Sequence, residues 1–324
     1  MRSVEELVAG VLKGNKRAVA RAISIIEDGR PEAADLLNAL EPHGGKAYVI
    51  GVTGATGSGK STLIHKLARA YRLKGHKVGV VAIDPTSPFT GGAFLGDRIR
   101  MQDLTLDEGI FIRSMATREG LGGISHAAEG AVKVLDAAGF DTILVETVGA
   151  GQLDVGIAGL AHTVLLVIAP GLGDEIQAIK AGLMEIADIF VVNKADKPEA
   201  DRAVSDLLSV IEIENYGSSN WRPPIVKTIA LTGEGIEELI RRIEEHKEFM
   251  RSRGLRFSEK KVRAMLVEAI RRAILSDVLP MITMSAKFDG AVKMIMSGKL
   301  TVSSGADLLL APLKKFLRGS HEEA

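Results

Sequence analysis

Cysteine is missing from this chain of 324 residues. The chain therefore has no disulfide bonds, no thiolate metal ligands and no cysteine nucleophile. A surplus of charge is missing too, because 41 lysine and arginine residues balance 41 aspartate and glutamate residues. A chain with zero formal net charge does not attract polyanions over a distance, so we expect no nucleic-acid partner and no membrane partner.

Long apolar runs are absent as well. A run such as residues 163–169 falls far short of the roughly 20 residues that span a bilayer. The first residues are charged and amphipathic, unlike a signal peptide. We therefore expect a soluble, cytoplasmic protein. Apolar residues still make up 46% of the chain, which is enough for a sizeable core.

Apolar segments of strand length alternate with helical patterns through the central part of the chain. They are nearly continuous in valine, isoleucine and leucine, which is typical of parallel strands buried on both faces. They cover residues 47–53, 77–83, 110–113, 142–146, 163–169, 189–192 and 225–229. The pattern predicts an α/β fold: a doubly wound, mostly parallel sheet with helical N- and C-terminal extensions. Ligands of such sheets bind outside the carboxyl ends of the strands.

One glycine-rich stretch lies between the first predicted strand and a helical pattern. It reads G-x-x-x-x-G-K-S and consists of Gly54, Ala55, Thr56, Gly57, Ser58, Gly59, Lys60 and Ser61, with Thr62 next. Its glycines let the backbone turn and aim N–H groups at phosphate oxygens. Lys60 is placed to reach the β- and γ-phosphates, and the Ser61 hydroxyl to bind magnesium. The motif in this context predicts a nucleoside triphosphate site, and we call residues 54–61 the phosphate loop.

A second motif, N-K-x-D, ends a later predicted strand and contains Asn193, Lys194 and Asp196. The Asp196 carboxylate can accept hydrogen bonds from the ring N–H and the exocyclic amine of guanine, a donor pair that adenine lacks. Hydrogen bonds to a charged group are worth roughly 1.5–3 kcal/mol each. The motif therefore predicts GTP and GDP as the nucleotides, with Lys194 along the plane of the base.

Three acidic residues lie where a magnesium ion beside Ser61 would need them. Glu146 ends an apolar strand, and Gly149 shortly after it is suited to sensing the γ-phosphate. Asp84 ends the second predicted strand, and Asp97 lies in a glycine-rich loop that follows. Carboxylates from different loops can flank Mg²⁺ and an attacking water. Alternatively, Asp84 has no role at the magnesium ion and only initiates a turn.

The composition changes along the chain and predicts three regions. Residues 1–45 form a helical N-terminal arm, residues 46–250 a P-loop nucleotide-binding domain, and residues 251–324 a helical C-terminal extension. The arm either packs against the core or binds a partner, and the sequence leaves both open. In the extension, methionines at positions 281, 284, 294 and 296 favour an oligomer interface.

In order and spacing, these motifs resemble those of the MeaB/ArgK family of SIMIBI-class P-loop GTPases. This family includes the methylmalonic aciduria type A protein. The resemblance covers roughly residues 15–245. Besides the motifs above, it includes Gly91-Gly92, Leu95-Gly96-Asp97-Arg98, Glu146-Thr147-Val148-Gly149, Pro170-Gly171 and Leu231-Thr232-Gly233.

The resemblance implies a GTPase that hydrolyses GTP to GDP and acts as a chaperone of an adenosylcobalamin-dependent acyl-CoA mutase, similar to methylmalonyl-CoA mutase. Such a chaperone gates the loading of the cofactor and protects the mutase, and the resemblance implies that it is a homodimer. At matching positions, the resemblance implies catalytic roles for Lys60, Asp97, Glu146 and Lys180, the last at the basic end of an additional switch. It implies magnesium contacts for Ser61, Asp84, Asp97 and Glu146, and guanine contacts at Ala230 and Leu231.

Three other functions compete with this one. A GTPase metallochaperone for nickel enzymes shares the P-loop class, but the chain has no cysteine and its seven histidines are scattered. A kinase of the LAO/AO transport type needs a phosphoacceptor site, for which the sequence gives no sign. A module that binds nucleotide without hydrolysing it conflicts with the intact set of Lys60, Ser61, Asp97 and Glu146.

Overall fold

The computed structural model describes residues 4–85, 102–117, 126–149, 156–171, 183–213 and 221–319. The strands in these ranges are β1 Tyr48–Thr53, β2 Val78–Pro85, β3 Ile110–Thr117, β4 Thr142–Glu146, β5 Thr163–Ile168, β6 Ile189–Asn193 and β7 Ile225–Thr228. The helices up to the end of the sheet are α1 Val4–Leu12, α2 Lys16–Glu27, α3 Ala33–Leu40, α4 Lys60–Leu73, α5 Gln102–Thr105, α6 His126–Ala137, α7 Ile157–Leu160, α8 Leu183–Ile186 and α9 Ala200–Ile213. After the sheet come α10 Ile236–Ser252, α11 Glu259–Ala273, α12 Leu279–Thr283, α13 Ala286–Met296 and α14 Val302–Gly319.

The strands form a single parallel sheet in the order β3-β2-β4-β1-β5-β6-β7. All carboxyl ends therefore lie at one edge of the sheet. The strand β1 lies between β4 and β5, with Val52 beside Glu146 and Thr53 beside Leu166. This order places the phosphate loop, which follows β1, between the ends of its two neighbouring strands. The predicted doubly wound α/β fold is confirmed.

The observed strand bounds differ from the predicted ones by a few residues. The largest difference is in β3, which continues to Thr117 although the apolar run ends at Arg113. Its last residues pair with the end of β2, from Ala82 beside Ser114 to Pro85 beside Thr117. Backbone pairing with a neighbouring strand thus extends β3 through residues whose side chains give no strand pattern.

Helices cover both faces of the sheet. On one face, Leu63, Ile64 and Leu67 of α4 pack with α10 against alternate residues of the central strands, such as Val52 and Val80. The opposite alternate residues, such as Val81, belong to a second apolar cluster that includes α6, α7 and α9. Burial on both faces explains the continuous apolar runs.

The N-terminal arm contributes to this second cluster. Leu7 and Val11 of α1, Val19 and Ile23 of α2 and Leu36 of α3 are buried in it. Asn15 begins α2 by accepting hydrogen bonds from the backbone N–H groups of Arg17 and Ala18. Packing against the core therefore accounts for the apolar stripe of the arm, and its role in partner binding stays a prediction.

The chain divides into two compact units, Met1–Leu266 and Val267–Ala324. The second unit exposes many large apolar side chains, among them Met281, Met284 and Met296. Its last helix begins at Val302, where the Thr301 hydroxyl accepts a hydrogen bond from the N–H of Ser304. Within the described ranges, every helix is too short or too polar to cross a bilayer. The predicted boundary after residue 250 and the dimer stay predictions.

Candidate functional site

The phosphate loop connects β1 to α4 through backbone conformations that favour glycine. The φ angles of Gly54, Gly57 and Gly59 are 136°, 83° and 93°. A side chain at Gly54 would overlap the carbonyl oxygen of Val167, and one at Gly59 would overlap the side-chain amide of Asn193. The loop is therefore held close to the ends of β5 and β6, and only glycine permits this approach.

Lys60 begins α4, and its side chain is 6% exposed. Its ammonium donates hydrogen bonds to the carbonyl oxygens of Gly54, at 2.8 Å, and Ala55, at 3.0 Å. The positive charge thus lies on the loop's own backbone, at the N-terminus of a helix. This arrangement attracts phosphate oxygens, and phosphate contacts would replace the two carbonyl contacts.

Ser61 and Glu146 are adjacent in the folded chain although 85 positions separate them. The Ser61 hydroxyl donates to Oε1 of Glu146 at 2.7 Å, and the Glu146 side chain is 5% exposed at the carboxyl end of β4. Two oxygen ligands beside a phosphate loop fit magnesium, which binds one or two carboxylates together with water and phosphate oxygens. Among the described residues, no three histidine or acidic side chains cluster in the manner of an all-protein metal site.

Gly149 lies against the phosphate loop three residues after β4. Its φ angle is 84°, and a Cβ atom there would lie 2.5 Å from the Gly54 oxygen, 2.7 Å from Nζ of Lys60 and 2.9 Å from the Thr56 nitrogen. The Thr147 N–H donates to the Val52 oxygen, which ties this segment to β1. The backbone of residue 149 is therefore next to the ammonium that is expected to hold the terminal phosphates.

Asn193 joins the N-K-x-D motif to the phosphate loop. Its side-chain amide donates to the Ser58 oxygen at 2.8 Å, and its Oδ1 accepts from the Ala230 N–H at 3.0 Å and the Thr228 hydroxyl at 3.2 Å. Because Asn193 is 2% exposed, these contacts fix the ends of β6 and β7 relative to the loop. Thr228 is a member of this site that the sequence reasoning missed, since a lone threonine at a strand end carries no signal.

Lys194 is the one non-glycine residue with a positive φ angle, 57°, among the residues described. This left-handed conformation is uncommon for residues with a side chain and often marks functional sites. Its ammonium donates to the Gly57 oxygen at 2.7 Å, so both lysines of the two motifs hold the same loop. Asp196, two residues later, is exposed, as is Leu231, and both are accessible to a base.

Several other predicted site residues are only partly described or fall outside the described ranges. The backbone of Asp84, the second-last residue of β2, lies two residues beyond Ala82, which pairs with Glu146, and so it lies at the same edge of the sheet. Thr62 lies in the first turn of α4. Asp97 and Lys180 lie outside the described residues.

Comparisons with known proteins agree with this site. A family model described as methylmalonyl-CoA mutase-associated GTPase MeaB matches residues 19–286. A relative from Pyrococcus horikoshii, named as a candidate GTPase, is 47% identical over 313 residues, which make up 96% of this chain and 98% of the relative. The Mus musculus protein named methylmalonic aciduria type A homolog is 30% identical over 332 residues and covers 97% of this chain and 80% of the mouse chain. GTPase ArgK of Escherichia coli is 34% identical over 259 residues, or 78% of each chain.

A solved structure gives the same result for the fold. The crystal structure of LAO/AO transport system kinase superposes with a TM-score of 0.73 at 26% identity and covers 96% of this chain and 97% of that one. The family model spans most of the chain, and the Pyrococcus and mouse relatives match nearly its full length. The chain therefore belongs to the MeaB family of GTPases, proteins that bind and hydrolyse GTP.

Proposed function

We propose that this GTPase is a chaperone of an adenosylcobalamin-dependent acyl-CoA mutase of the methylmalonyl-CoA mutase type, gating cofactor loading and protecting the mutase. The observation that carries the proposal is the match of residues 19–286 to the family named for its association with that mutase. The name of the mouse relative, a methylmalonic aciduria protein, supports the same partner.

The phosphate end of the site supplies the hydrolytic chemistry in this proposal. The N–H groups of residues 54–62 and the Lys60 ammonium bind the phosphates and stabilise the charge that develops as water attacks the γ-phosphorus. As the bond between water and the γ-phosphorus forms, the bond from the γ-phosphorus to the bridging β-phosphate oxygen breaks, and the products are GDP and inorganic phosphate. Ser61 and Glu146, with Asp84 and Asp97, would hold the magnesium ion, which when bound neutralises charge on the phosphate oxygens.

The base end selects guanine. Asp196 accepts from the two N–H donors of guanine, while Lys194 and the backbone of Ala230 and Leu231 enclose the ring. Asn193, which contacts both Ser58 and Ala230, keeps the base and phosphate ends at a fixed separation. Binding of the base and binding of the phosphates therefore support each other.

The nucleotide state reaches the mutase through the segments near the γ-phosphate. Gly149 is the described residue best placed for this, since its backbone lies beside the Lys60 ammonium. The segment that contains Lys180 would act with it. The exposed apolar side chains of the unit Val267–Ala324 support a homodimer, which light scattering across a concentration series tests directly.

Turnover of GTP with and without a methylmalonyl-CoA mutase tests the proposal. We expect the mutase to bind and to stimulate hydrolysis. A Lys60→Ala variant should show no hydrolysis in either condition, because the loop loses the buried ammonium that is placed to bind the phosphates. Stimulation by no acyl-CoA mutase would refute the chaperone function while leaving the GTPase activity intact. Transfer of labelled phosphate from GTP to a protein would instead support a kinase.

A further inference from the structure

A cavity of about 230 Å³ lies at the edge of the sheet opposite the nucleotide site. Tyr48, the first residue of β1, and His162, directly before β5, form one side of it. Residues of α10 and the segment after it form the rest. The amino ends of β1 and β5 thus meet at this cavity, whereas their carboxyl ends meet at the phosphate loop. No role proposed above involves it.

The charged side chains that line the cavity are all cationic: Lys247, Arg251 and Arg256. Lys247 lies 3.7 Å from Glu244 and Arg251 lies 3.0 Å from Glu248, both as exposed pairs one helical turn apart. Such pairs are weak and exchange readily. Arg256 lies over the ring of Phe257 at 5.3 Å and has no carboxylate partner within the described ranges. The rim is therefore positive.

His162 adds a hydrogen-bond donor at a fixed position. Its Nδ1 accepts from the Val49 N–H at 2.9 Å, so the neutral ring carries its proton on Nε2. Burial lowers the pKa of His162 to about 4, and the cations Arg256, Lys261 and Lys247 contribute to this lowering, so the ring is neutral near pH 7. The imidazole stacks between Tyr48, at 5.2 Å and 15°, and Phe257, at 6.2 Å and 11°.

The remaining lining is apolar. The Tyr48 hydroxyl is bonded to the Thr163 hydroxyl at 2.6 Å, and the Lys247 ammonium lies 4.8 Å from the centroid of the Tyr48 ring, so Tyr48 contributes apolar ring surface beside a cation. Met250 is buried, and Leu255 is about half exposed. A compact apolar body fits this lining, and an acidic group fits the cationic rim and the imidazole N–H.

We propose that this cavity binds a small organic anion, a carboxylate or phosphate joined to a compact apolar body, separately from the nucleotide. The prearranged ring stack and the Arg256 guanidinium supply the recognition. The site is independent of the mutase and of the proposed chaperone function.

Phenyl phosphate is a suitable probe, measured by isothermal titration with GDP held at saturation so that the phosphate loop is occupied. We expect saturable binding to the wild-type protein. Lys247→Ala/Arg256→Ala should weaken it about tenfold or more, the effect of losing a charge-assisted contact. Arg263→Ala is the matched control, since Arg263 is an exposed cation on α11 paired with Glu259 and does not line the cavity. Both variants should keep the wild-type GTP turnover.

Two further probes separate the parts of the proposal. Inorganic phosphate lacks the apolar body, and benzyl alcohol lacks the charge, so each should bind more weakly than phenyl phosphate. Fluorescence of Trp221, the single tryptophan, reports on the site because its ring packs on His246 and Phe249 of α10. Equal affinities in the double variant and wild type, or no saturation up to on the order of 10 mM phenyl phosphate, would overturn the proposal.

Discussion

Gly149→Ala tests whether the backbone after β4 is in contact with the phosphate-binding group. The new Cβ atom would lie 2.5 to 2.9 Å from the Gly54 oxygen, Nζ of Lys60 and the Thr56 nitrogen. Two of these atoms belong to the backbone of the phosphate loop and cannot rotate away. Either the loop or the segment containing residue 149 must move, and the Lys60 ammonium moves with it.

The free-energy cost of Gly149→Ala has two parts. Alanine at a φ angle of 84° is in the left-handed region, which costs roughly 1–2 kcal/mol. Overpacking of the loop adds about 1–3 kcal/mol. Because the phosphates bind where the loop must shift, this second cost weakens nucleotide binding. We therefore expect GDP to bind roughly 5- to 150-fold more weakly.

Gly139→Ala is the matched control for the backbone term. Gly139 has a φ angle of 80°, but a Cβ atom added there would meet nothing within 4 Å, and the residue lies before β4, at the far edge of the sheet. It should lower stability without changing GDP affinity. Titration of GDP into both variants, each first shown to be folded by circular dichroism, makes the comparison. Equal GDP affinities in Gly149→Ala and Gly139→Ala would contradict a contact between residue 149 and the loop.

Three further predictions concern the recognition of guanine, the stability of the folded protein at low pH and the Ser58 hydroxyl of the phosphate loop. Asp196→Asn should weaken GTP binding and spare or improve binding of xanthosine triphosphate, measured by competition; an unchanged preference for guanine would refute base reading by Asp196. Burial lowers the pKa of His162 from 6.5 to about 4, so between these pH values the unfolded chain binds a proton that the folded one does not, and folding stability falls as pH falls. His162→Gln should remove up to about 2.5 kcal/mol of the loss of stability between pH 7 and pH 4.5, measured by urea unfolding at both pH values, and an unaltered pH dependence would contradict the lowered pKa of His162. Ser58→Ala should raise the free energy of unfolding by about 1 kcal/mol, because the Ser58 hydroxyl is buried without a hydrogen-bond partner in the described part of the chain, and a decrease would argue for an unseen partner.

The fold was predictable because its signals are local. A strand that is buried on both faces is predicted from its own run of apolar side chains. For β4, the sequence predicts both bounds correctly, at Thr142 and Glu146. The phosphate loop needs glycines at Gly54 and Gly59 because neighbouring strands leave no room for a side chain, and this requirement is visible as a motif.

Other contacts leave no local signal. Asp188 accepts from the Lys261 ammonium at 3.1 Å across 73 positions, and its backbone oxygen accepts from the Trp221 ring N–H at 2.7 Å. His246 lies in the same buried group, bonded to the Thr163 hydroxyl at 2.8 Å. Asp188, Lys261 and His246 resemble ordinary surface residues in the sequence, since only the packing of α10 and the start of α11 on the sheet brings them together.

The bond between Ser61 and Glu146 is an intermediate case. The sequence predicts that both residues lie near magnesium, because each ends or begins an element at the edge where parallel strands finish. It does not predict that the serine donates directly to the carboxylate at 2.7 Å, which depends on β4 being the neighbour of β1.

The affinity of the mutase for this protein in different nucleotide states tests the central claim most directly. If the phosphate loop and Gly149 report the γ-phosphate to the partner, the dissociation constant of the complex must differ between GDP and a non-hydrolysable GTP analogue. By linkage, the mutase must change the affinity for the two nucleotides by the same ratio. We expect the two dissociation constants to differ at least about fivefold, in the usual range of coupling between sites. Equal dissociation constants in both states would contradict it.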